Sequence, residues 1–155
     1  MAILGKPRSF YKGFLFTIEI PDVQWGGFMK CGEIKGTVAV IDHFEGGTLT
    51  SDSSPGRMST ADVELTRGAT KDKDLYNWWL QVCNAADNTG AVDAEYKRTV
   101  DVVQRDRDGT ELTRWVLYEA WPTSFTAGQW DNGADSNVIE AITLKYRYFA
   151  SKEAA

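Results

Sequence analysis

The sequence predicts a mainly β fold: an antiparallel β-barrel or sandwich with long hairpins and one flanking α-helix. Short runs of alternating apolar residues recur along the chain, separated by clusters of Gly, Asp, Asn, Ser and Pro, as is typical of strands joined by turns. Only one segment, around residue 75, has apolar residues at helical spacing. Because the strands follow one another in hairpins, a βαβ architecture is not expected.

The N-terminal part of the chain contains three apolar runs. Phe14–Ile20 alternates as a half-buried strand does, so its apolar side chains share one face. Gly26–Ile34 is followed by Thr37–Ile41, and residues 35 and 36 can form a turn or bulge between these two runs. We therefore expect the second and third runs to pair as a long hairpin.

Between His43 and Thr60 nearly every residue is Gly, Ser, Thr, Asp or Pro, and a turn is expected over Ser53–Gly56. This composition predicts a long exposed loop, because it offers too little apolar surface for a core element. Connections longer than about 12 residues are uncommon in compact domains and usually carry function or are disordered. The loop is therefore either a flexible surface segment or a segment that contacts a partner.

A strand over Ala61–Thr66 precedes the predicted helix, which begins at about Thr70 as its N-cap and ends near residues 84–86. Four apolar side chains at helical spacing are expected to pack this helix onto the sheet. These are Leu75, Trp78, Trp79 and Val82.

The C-terminal half predicts a second hairpin, with strands Lys97–Arg105 and Glu111–Ala120 around Asp108-Gly109, the strongest short-range turn signal in the chain. The mixed pattern of the second strand leaves its faces open. Trp121 and Pro122 are expected to end that strand.

A long last strand is predicted from Ser136 to Phe149. The 155 residues fit a single domain, with a core over about residues 14–149 and a short tail over residues 150–155.

The chain carries 17 basic and 22 acidic residues, a net charge of −5, without a block of like charge. Nucleic-acid binding, which needs a concentrated basic surface, gains no support from this composition. Cys31 and Cys83 are far apart and belong to no ligand motif, which favours a reducing compartment. Because the sequence has no signal-peptide core and no apolar run of about 20 residues, we expect a cytoplasmic product without membrane insertion.

The sequence contains no catalytic constellation. A strand would place His43, the sole histidine, on the face opposite its neighbour Asp42. Asp131–Asn137 lacks the alternation and the terminal Glu of an EF-hand calcium loop. The Gly pairs precede β-type sequence, so no helix N-terminus is expected to receive a phosphate. We therefore expect no metal, no cofactor and no enzymatic activity, but a binding or structural role.

The order of several short motifs resembles one protein family. The motifs are Phe44-Glu45-Gly46-Gly47, Pro55-Gly56, Val63-Glu64-Leu65-Thr66-Arg67-Gly68-Ala69-Thr70, Leu75 with Trp78, Asp108-Gly109, Trp115, Ala120-Trp121-Pro122 and Ile139-Glu140-Ala141-Ile142. In this order they resemble the tail tube proteins of contractile phages and of phage-tail-like contractile injection particles, over nearly the whole chain. The haemolysin-coregulated proteins of type VI secretion share this architecture.

The resemblance implies a structural subunit of the inner tail tube, whose hexameric rings stack into a hollow tube that delivers effector protein or DNA. The implied partners are further copies of the chain, a sheath protein, baseplate or tube-initiator proteins, and the payload in the lumen. The tube would be assembled in the bacterial cytoplasm and belong to a phage virion tail or to an extracellular or intracellular contractile particle.

By position, the resemblance implies that hairpins Gly26–Phe44 and Lys97–Ala120 line the lumen and that the loop Glu45–Thr60 reaches an adjoining ring. The polar candidates for the lumen wall are Thr37, Thr99 and Asp101, with Val38, Val40, Val100 and Val102 expected in the core. The candidates for ring stacking are Glu45, Gly46, Gly47, Asp52, Pro55 and Gly56.

A different interpretation is a small-molecule-binding β-barrel, whose interior would hold a ligand among aromatic side chains.

Overall fold

The computed structural model describes residues 10–23, 27–92 and 94–153, and the predicted mainly β fold class is confirmed. These ranges contain nine strands, one α-helix and one turn of 3₁₀-helix at Ala94–Tyr96. The elements in chain order are β1 Phe16–Glu19, β2 Phe28–Cys31, β3 Gly36–His43, β4 Asp52–Thr60, β5 Val63–Gly68, α1 Asp74–Val82, β6 Arg98–Arg105, β7 Glu111–Thr126, β8 Ile139–Lys145 and β9 Tyr148–Glu153.

Seven strands form one antiparallel sheet. Six of them follow one another in the order β1-β6-β7-β8-β5-β2, and the seventh, β9, pairs with β7. The path folds over on itself, and its first and last strands, β1 and β2, are not hydrogen-bonded to each other. The fold is therefore a sandwich or open barrel. The hairpin of β3 and β4 forms a separate two-stranded sheet.

Strand β7 joins the two halves of the sandwich. Residues 111–120 pair with β6 and residues 113–118 with β9, whereas residues 121–126 pair with β8. The change of partner occurs beside Glu119, whose backbone has a positive φ of 53°. Strands β8 and β9 turn the same corner, where the Arg147 N–H donates to the Tyr118 carbonyl at 3.0 Å.

The core lies between the two halves. Fully buried aliphatic side chains come from β1, β5, β6, β7 and β8, and each stabilises the fold by about 1.5–3 kcal/mol. They include Ile18, Val63, Leu65, Val100, Leu117, Ile142 and Leu144.

Helix α1 covers one end of this core. Leu75 and Trp78 are buried, while Trp79 and Val82 are half-buried. The Trp78 indole N–H donates to the carbonyl of Tyr96 at 2.6 Å, which satisfies its one polar atom.

The predicted start of the helix at Thr70 is wrong. The Thr70 hydroxyl accepts a hydrogen bond from the Asp72 N–H at 3.2 Å and so stabilises a turn that precedes the helix. The helix itself begins at Asp74 after Lys73, whose side chain makes no capping bond, and it ends at Val82.

The predicted pairing of the N-terminal hairpin is also wrong. Strand β2 pairs with β5, and β3 pairs with β4, within the segment that composition assigned to a loop. Pro55 lies in β4 at a bulge of a two-stranded sheet, a place where a missing N–H is tolerated. Gly26 of the predicted hairpin lies outside the described residues.

The C-terminal strands differ from the prediction in length. Strand β7 continues through Pro122 to Thr126, with a bulge between Pro122 and Ser124. The predicted last strand is two strands, because the chain changes sheets at Tyr146 and Arg147. Residues 150–153 of the predicted tail belong to β9, which is held by pairing to β7; residues 154–155 lie outside the described part.

One ion pair is buried on the inward side of β5 and β8. Arg67 and Glu140 are only 5% and 7% exposed, and the Arg67 Nε donates to Glu140 Oε1 at 2.5 Å. The centroid of the Phe28 ring lies 5.7 Å from the guanidinium carbon, Cζ, of Arg67. The Nη2 atom of Arg67 has no hydrogen-bond partner among the described residues. Arg67 therefore depends on Glu140 for compensation of its buried charge.

An apolar cleft of about 510 Å³ opens where the sandwich is not closed, between β1 and β2. Phe16, Met29 and Trp115 contribute to its walls together with the thiol of Cys31. Burial raises the pKa of Cys31 to about 11, whereas the other free cysteine, Cys83, is exposed.

We predict that Glu140→Ala lowers the free energy of unfolding by about 3–5 kcal/mol, because Arg67 is left buried and unpaired. Asp62→Ala is the control: Asp62 is half-exposed and lies 3.9 Å from Lys145, so its removal is expected to lower stability by about 0–1 kcal/mol. Urea unfolding of the monomer measures both values. The double variant Arg67→Met/Glu140→Leu should recover most of the loss, and equal losses for the two single variants would contradict the assignment.

We also predict that iodoacetamide modifies Cys83 about a hundredfold faster than Cys31 in the native protein at about pH 8. Below its pKa of about 11 the Cys31 thiol stays protonated, and only the thiolate reacts. Mass spectrometry of a time course gives both rates, with urea-unfolded protein as the control in which the two should converge. Equal rates in the native protein would refute the prediction.

Candidate functional site: an exposed hairpin and a charged sheet face

The β3–β4 hairpin stands apart from the rest of the fold. All eight residues of β3 are exposed, as are most of β4. At the base of the hairpin, the Ala61 N–H donates to the carbonyl of Lys35 at 3.0 Å and the Thr60 hydroxyl donates to the carbonyl of Tyr146 at 2.7 Å. The hairpin is thus anchored to the core at its base, and within the described part of the chain both of its faces are exposed.

One face of the hairpin is apolar. Directly opposite residues in an antiparallel pair share a face, and the register pairs Val38 with Met58 and Val40 with Pro55. Val38 is 47% exposed and Val40 is 69% exposed, so the expectation that both lie in the core of the subunit is wrong. The strand alternates as a core strand does, but its partner layer is not part of this chain's described structure.

The other face of the hairpin is mainly polar. It carries Thr37 opposite Ser59 and His43 opposite Asp52. The imidazole Nε2 of His43 lies 3.9 Å from Glu45 Oε1, and both side chains are exposed.

The tip of the hairpin spans residues 44–51, and its two apolar side chains, Phe44 and Leu49, are among the most exposed in the structure. The Thr48 hydroxyl donates to the carbonyl of Glu45 at 2.9 Å, which helps to close the turn. Gly47 has a positive φ of 89°, a conformation that favours glycine.

The six predicted ring-stacking residues divide between two elements. Glu45, Gly46 and Gly47 lie in the tip, whereas Asp52, Pro55 and Gly56 lie in β4. A Cβ atom at Gly46 or Gly47 would contact nothing within 4 Å, but one at Gly56 would lie 3.1 Å from the carbonyl oxygen of Ala39. Gly56 therefore allows close pairing of the two strands, while Gly46 and Gly47 face open space.

A second polar surface lies on the face of β1, β6 and β7 that points away from the core. Alternation along β6 places Thr99 and Asp101 on this face, and register places Glu19 and Val116 beside Asp101. The same register resolves the faces of β7: Leu117 points to the core, and Arg114 points away from it.

Arg114 is the centre of a charge network on this face. Its Nε donates to Glu111 Oε1 at 2.8 Å, its Nη1 donates to Glu19 Oε2 at 2.8 Å, and Nη1 also donates to the carboxylate of Asp101. Arg105 Nη2 lies 3.6 Å from Glu19 Oε1. The network holds three carboxylates and two guanidinium groups, which leaves one negative charge in excess.

The hydrogen bonds between Arg114 and the carboxylates shift the pKa values of Arg114 and Glu111. The hydrogen bonds that Arg114 donates to Glu111 and Glu19, with a further one to Asp101, raise the pKa of Arg114, and the hydrogen bond that Glu111 accepts from Arg114 lowers the pKa of Glu111. Both pKa shifts favour the charged forms of Arg114 and Glu111.

Glu19, Thr99 and Asp101 also line a shallow depression of about 470 Å³, with Ile20 and Pro21 on its other side. The structure thus brings together two of the predicted lumen residues, Thr99 and Asp101. Thr37, the third, lies on the separate β3–β4 sheet.

Sequence reasoning missed Arg114, Phe44 and Leu49. The spacing of Glu111 and Arg114 along a strand gave no signal, because a bulge beside Glu111 changes its side-chain direction. The apolar tip residues stand singly among polar ones and were hidden by the composition of the segment.

Among the described residues, no three Asp, Glu, His or Cys side chains are grouped as a metal site would require. None of the helices in the described ranges has both the length and the apolar character needed to cross a bilayer.

Comparison with known protein families matches residues 12–150 to the family described as T4-like virus tail tube protein gp19. Comparison with curated proteins gives no significant match.

Several solved structures are similar in fold. The anti-feeding prophage cap, a tube terminating cap, has a TM-score of 0.78 at 19% identity, over 99% of this chain and 100% of that chain. The sheath-tube complex of the extracellular contractile injection system PVC in its extended state gives 0.77 at 19% identity, over 97% and 95%. Hcp1 from Flavobacterium johnsoniae gives 0.53 at 10% identity, over 91% and 97%.

The family match spans residues 12–150, and solved tube structures are similar in fold, so the resemblance read from the short motifs is confirmed. The chain belongs to the T4-like virus tail tube protein gp19 family, and its role is that of a structural tube subunit.

Proposed function

We propose that the chain forms hexameric rings that stack into the hollow inner tube of a phage tail or contractile injection particle. The tube would grow from baseplate or initiator proteins, lie inside a sheath, and deliver effector protein or DNA through its lumen. Chains of similar fold occur in the structures of the PVC sheath-tube complex and of the anti-feeding prophage baseplate, which supports these partners. The role is purely structural and needs no catalytic step.

The unpartnered apolar face of the β3–β4 hairpin carries this proposal. An isolated two-stranded hairpin is at best marginally stable in water, and Val38, Val40 and Met58 on this one are exposed. Docking this face onto a neighbouring copy would bury the apolar side chains and cover open strand edges. A head-to-tail contact of this kind closes into a ring when its rotation divides a full turn.

The hairpin tip is suited to the axial contact. Phe44 and Leu49 are exposed at the end farthest from the core, where they can reach an adjoining ring. The small residues Gly46 and Gly47 leave room for close backbone approach. We assign ring stacking to this tip, while Asp52, Pro55 and Gly56 of β4 support it from within the strand.

We assign the lumen wall to the polar face of β6 and β7, with Thr99 and Asp101, and to the polar face of the hairpin, with Thr37. Hairpin β6–β7 is the hairpin predicted over Lys97–Ala120, and hairpin β3–β4 takes the place of the one predicted over Gly26–Phe44. A wet channel is compatible with exposed charges, whereas a dry interface would have to compensate each of them.

Assembly in the bacterial cytoplasm fits the cysteine chemistry. Cys31 and Cys83 are both free thiols, and free thiols persist in a reducing compartment.

The alternative of a small-molecule-binding barrel is less well supported. Such a barrel needs an enclosed interior cavity. The space between the sheets is filled by fully buried side chains such as Trp78 and Leu117, and the apolar cleft lies at the open edge between β1 and β2.

We predict that Val40→Asp abolishes ring formation while the monomer stays folded. Val40 is 69% exposed, so the charge is solvated in the monomer, but it would be buried in the ring contact. Thr37→Asp, on the opposite face of the same strand, is the matched control and should still form rings. Negative-stain electron microscopy and thermal unfolding measure the two effects. Normal rings from Val40→Asp would refute the role of the apolar face.

We predict that Gly46→Val permits folding and ring formation but prevents the stacking of rings into tubes. The added side chain meets open space in the monomer, so its effect should appear only where another ring approaches the tip. Tube length in electron micrographs is the measurement, with Gly13→Val as a control, since a Cβ at Gly13 also has nothing within 4 Å. Full-length tubes, or a variant that loses monomer solubility instead, would contradict this assignment.

A further inference from the structure

The depression lined by Glu19, Thr99 and Asp101 contains two carboxylates that bind the same arginine side chain. Both carboxylates accept hydrogen bonds from the Nη1 of Arg114. A third carboxylate, Glu111, receives the Nε and Nη2 of the same guanidinium, at 2.8 Å and 3.2 Å. The guanidinium of Arg114 thus binds three carboxylates and reduces the negative charge that they present, an effect we call masking.

These groups are held in place more firmly than ordinary surface charges. The side chains of Arg114, Asp101 and Glu19 are 21%, 23% and 32% exposed. On the same face, Val103 lies opposite Arg114 and Val116 lies opposite Asp101, and both valines are buried, so the network covers the outward side of the sheet. A cation buried to this extent is expected to resist exchange with mobile counterions or with charged groups of a passing molecule.

We propose that Arg114 sets the affinity of the channel wall for cargo, by masking the acidic depression so that proteins with basic surfaces pass without being retained. The proposal rests on the proposed function, since it takes this sheet face to line the lumen. The chemical class to which the wall would otherwise bind is a flexible polycation, such as a Lys-rich protein segment.

The effect is multiplied by assembly. Without Arg114, each subunit would present three carboxylates against the one remaining guanidinium of Arg105. In a ring the same depression recurs around the channel, so a polycation can engage several copies at once, and weak single contacts add up to avid binding.

The experiment compares rings or tubes of the full chain by their retention of a short fluorescent oligolysine, with an oligoglutamate of equal length as the probe of opposite charge. Arg114→Gln should bind oligolysine on the order of tenfold more tightly than the wild type at physiological salt, and the gain should vanish at high salt. Oligoglutamate binding should not increase.

Lys73→Gln is the matched control, because it removes one positive charge beside α1, away from the network, and should leave oligolysine retention unchanged. Arg114→Lys keeps the charge and should behave as the wild type. The double variant Arg114→Gln/Asp101→Asn restores the net charge and should return retention to within about twofold of the wild type.

A variant that leaves Arg114 in place tests the same idea if Arg114→Gln does not fold. Thr99→Glu adds a carboxylate to the depression at an exposed position and should also increase oligolysine retention, whereas Thr99→Gln should not. Assembled rings with unchanged retention in Arg114→Gln or in Thr99→Glu would overturn the masking role alone. Failure of the wild type to form rings with its partners present would overturn the proposed function and this inference with it.

Discussion

The corner in β7 is the constraint on which the rest of the structure depends. A single strand of 16 residues pairs with β9 up to Tyr118, with β6 up to Ala120 and with β8 from Trp121 onward. The left-handed backbone at Glu119 changes the direction of the strand. The hydrogen bond from the Arg147 N–H to the Tyr118 carbonyl holds the connection between β8 and β9 at the same bend. Leu117 precedes the corner, whereas Ile142 lies on β8, the strand that pairs with β7 after the corner. Only with this bend can both side chains lie in one core.

Because the sheet bends at this corner, its open edges lie at β1 and β2, and the β3–β4 hairpin lies outside it. Among the described strands, β1 and β2 end the sheet path without a further partner and have an apolar cleft between them, and β3 leaves the sheet altogether to pair with β4. A solitary protein would be expected to cover such edges or to place charges on them. In a tube subunit they are the surfaces available to neighbouring copies, so the features that are unfavourable for a monomer are those that a polymer requires.

The sequence was a good guide to elements with local signals and a poor guide to their partners. Alternation located β1, β5 and β6, and Asp108-Gly109 located the β6–β7 turn, because each signal is complete within a few residues. Pairing of β2 with β5 depends on contacts between distant segments, which periodicity does not encode. Strand β4 was missed because Asp52, Pro55 and Gly56 belong to residue types that are depleted in strands, and β3 is the strand that pairs with this segment. Of the site, Thr99 and Asp101 could be placed on one face, but Arg114 could not be connected to Glu19 across two strands.

The error at Val38 and Val40 has a physical explanation that separates the two candidate surfaces. Alternating valines indicate that one side of a strand is to be buried, but they do not say whether the covering layer belongs to the same chain. On the outward face of β6 and β7 the polar groups already bind one another, since Arg114 forms ion pairs with Glu19, Asp101 and Glu111. Removing that face from water would therefore add a desolvation cost without providing new partners. The hairpin has the opposite character, with apolar surface in water and no partner of its own. In the proposed assembly the hairpin would therefore drive association, and the self-paired charged face would stay in contact with solvent.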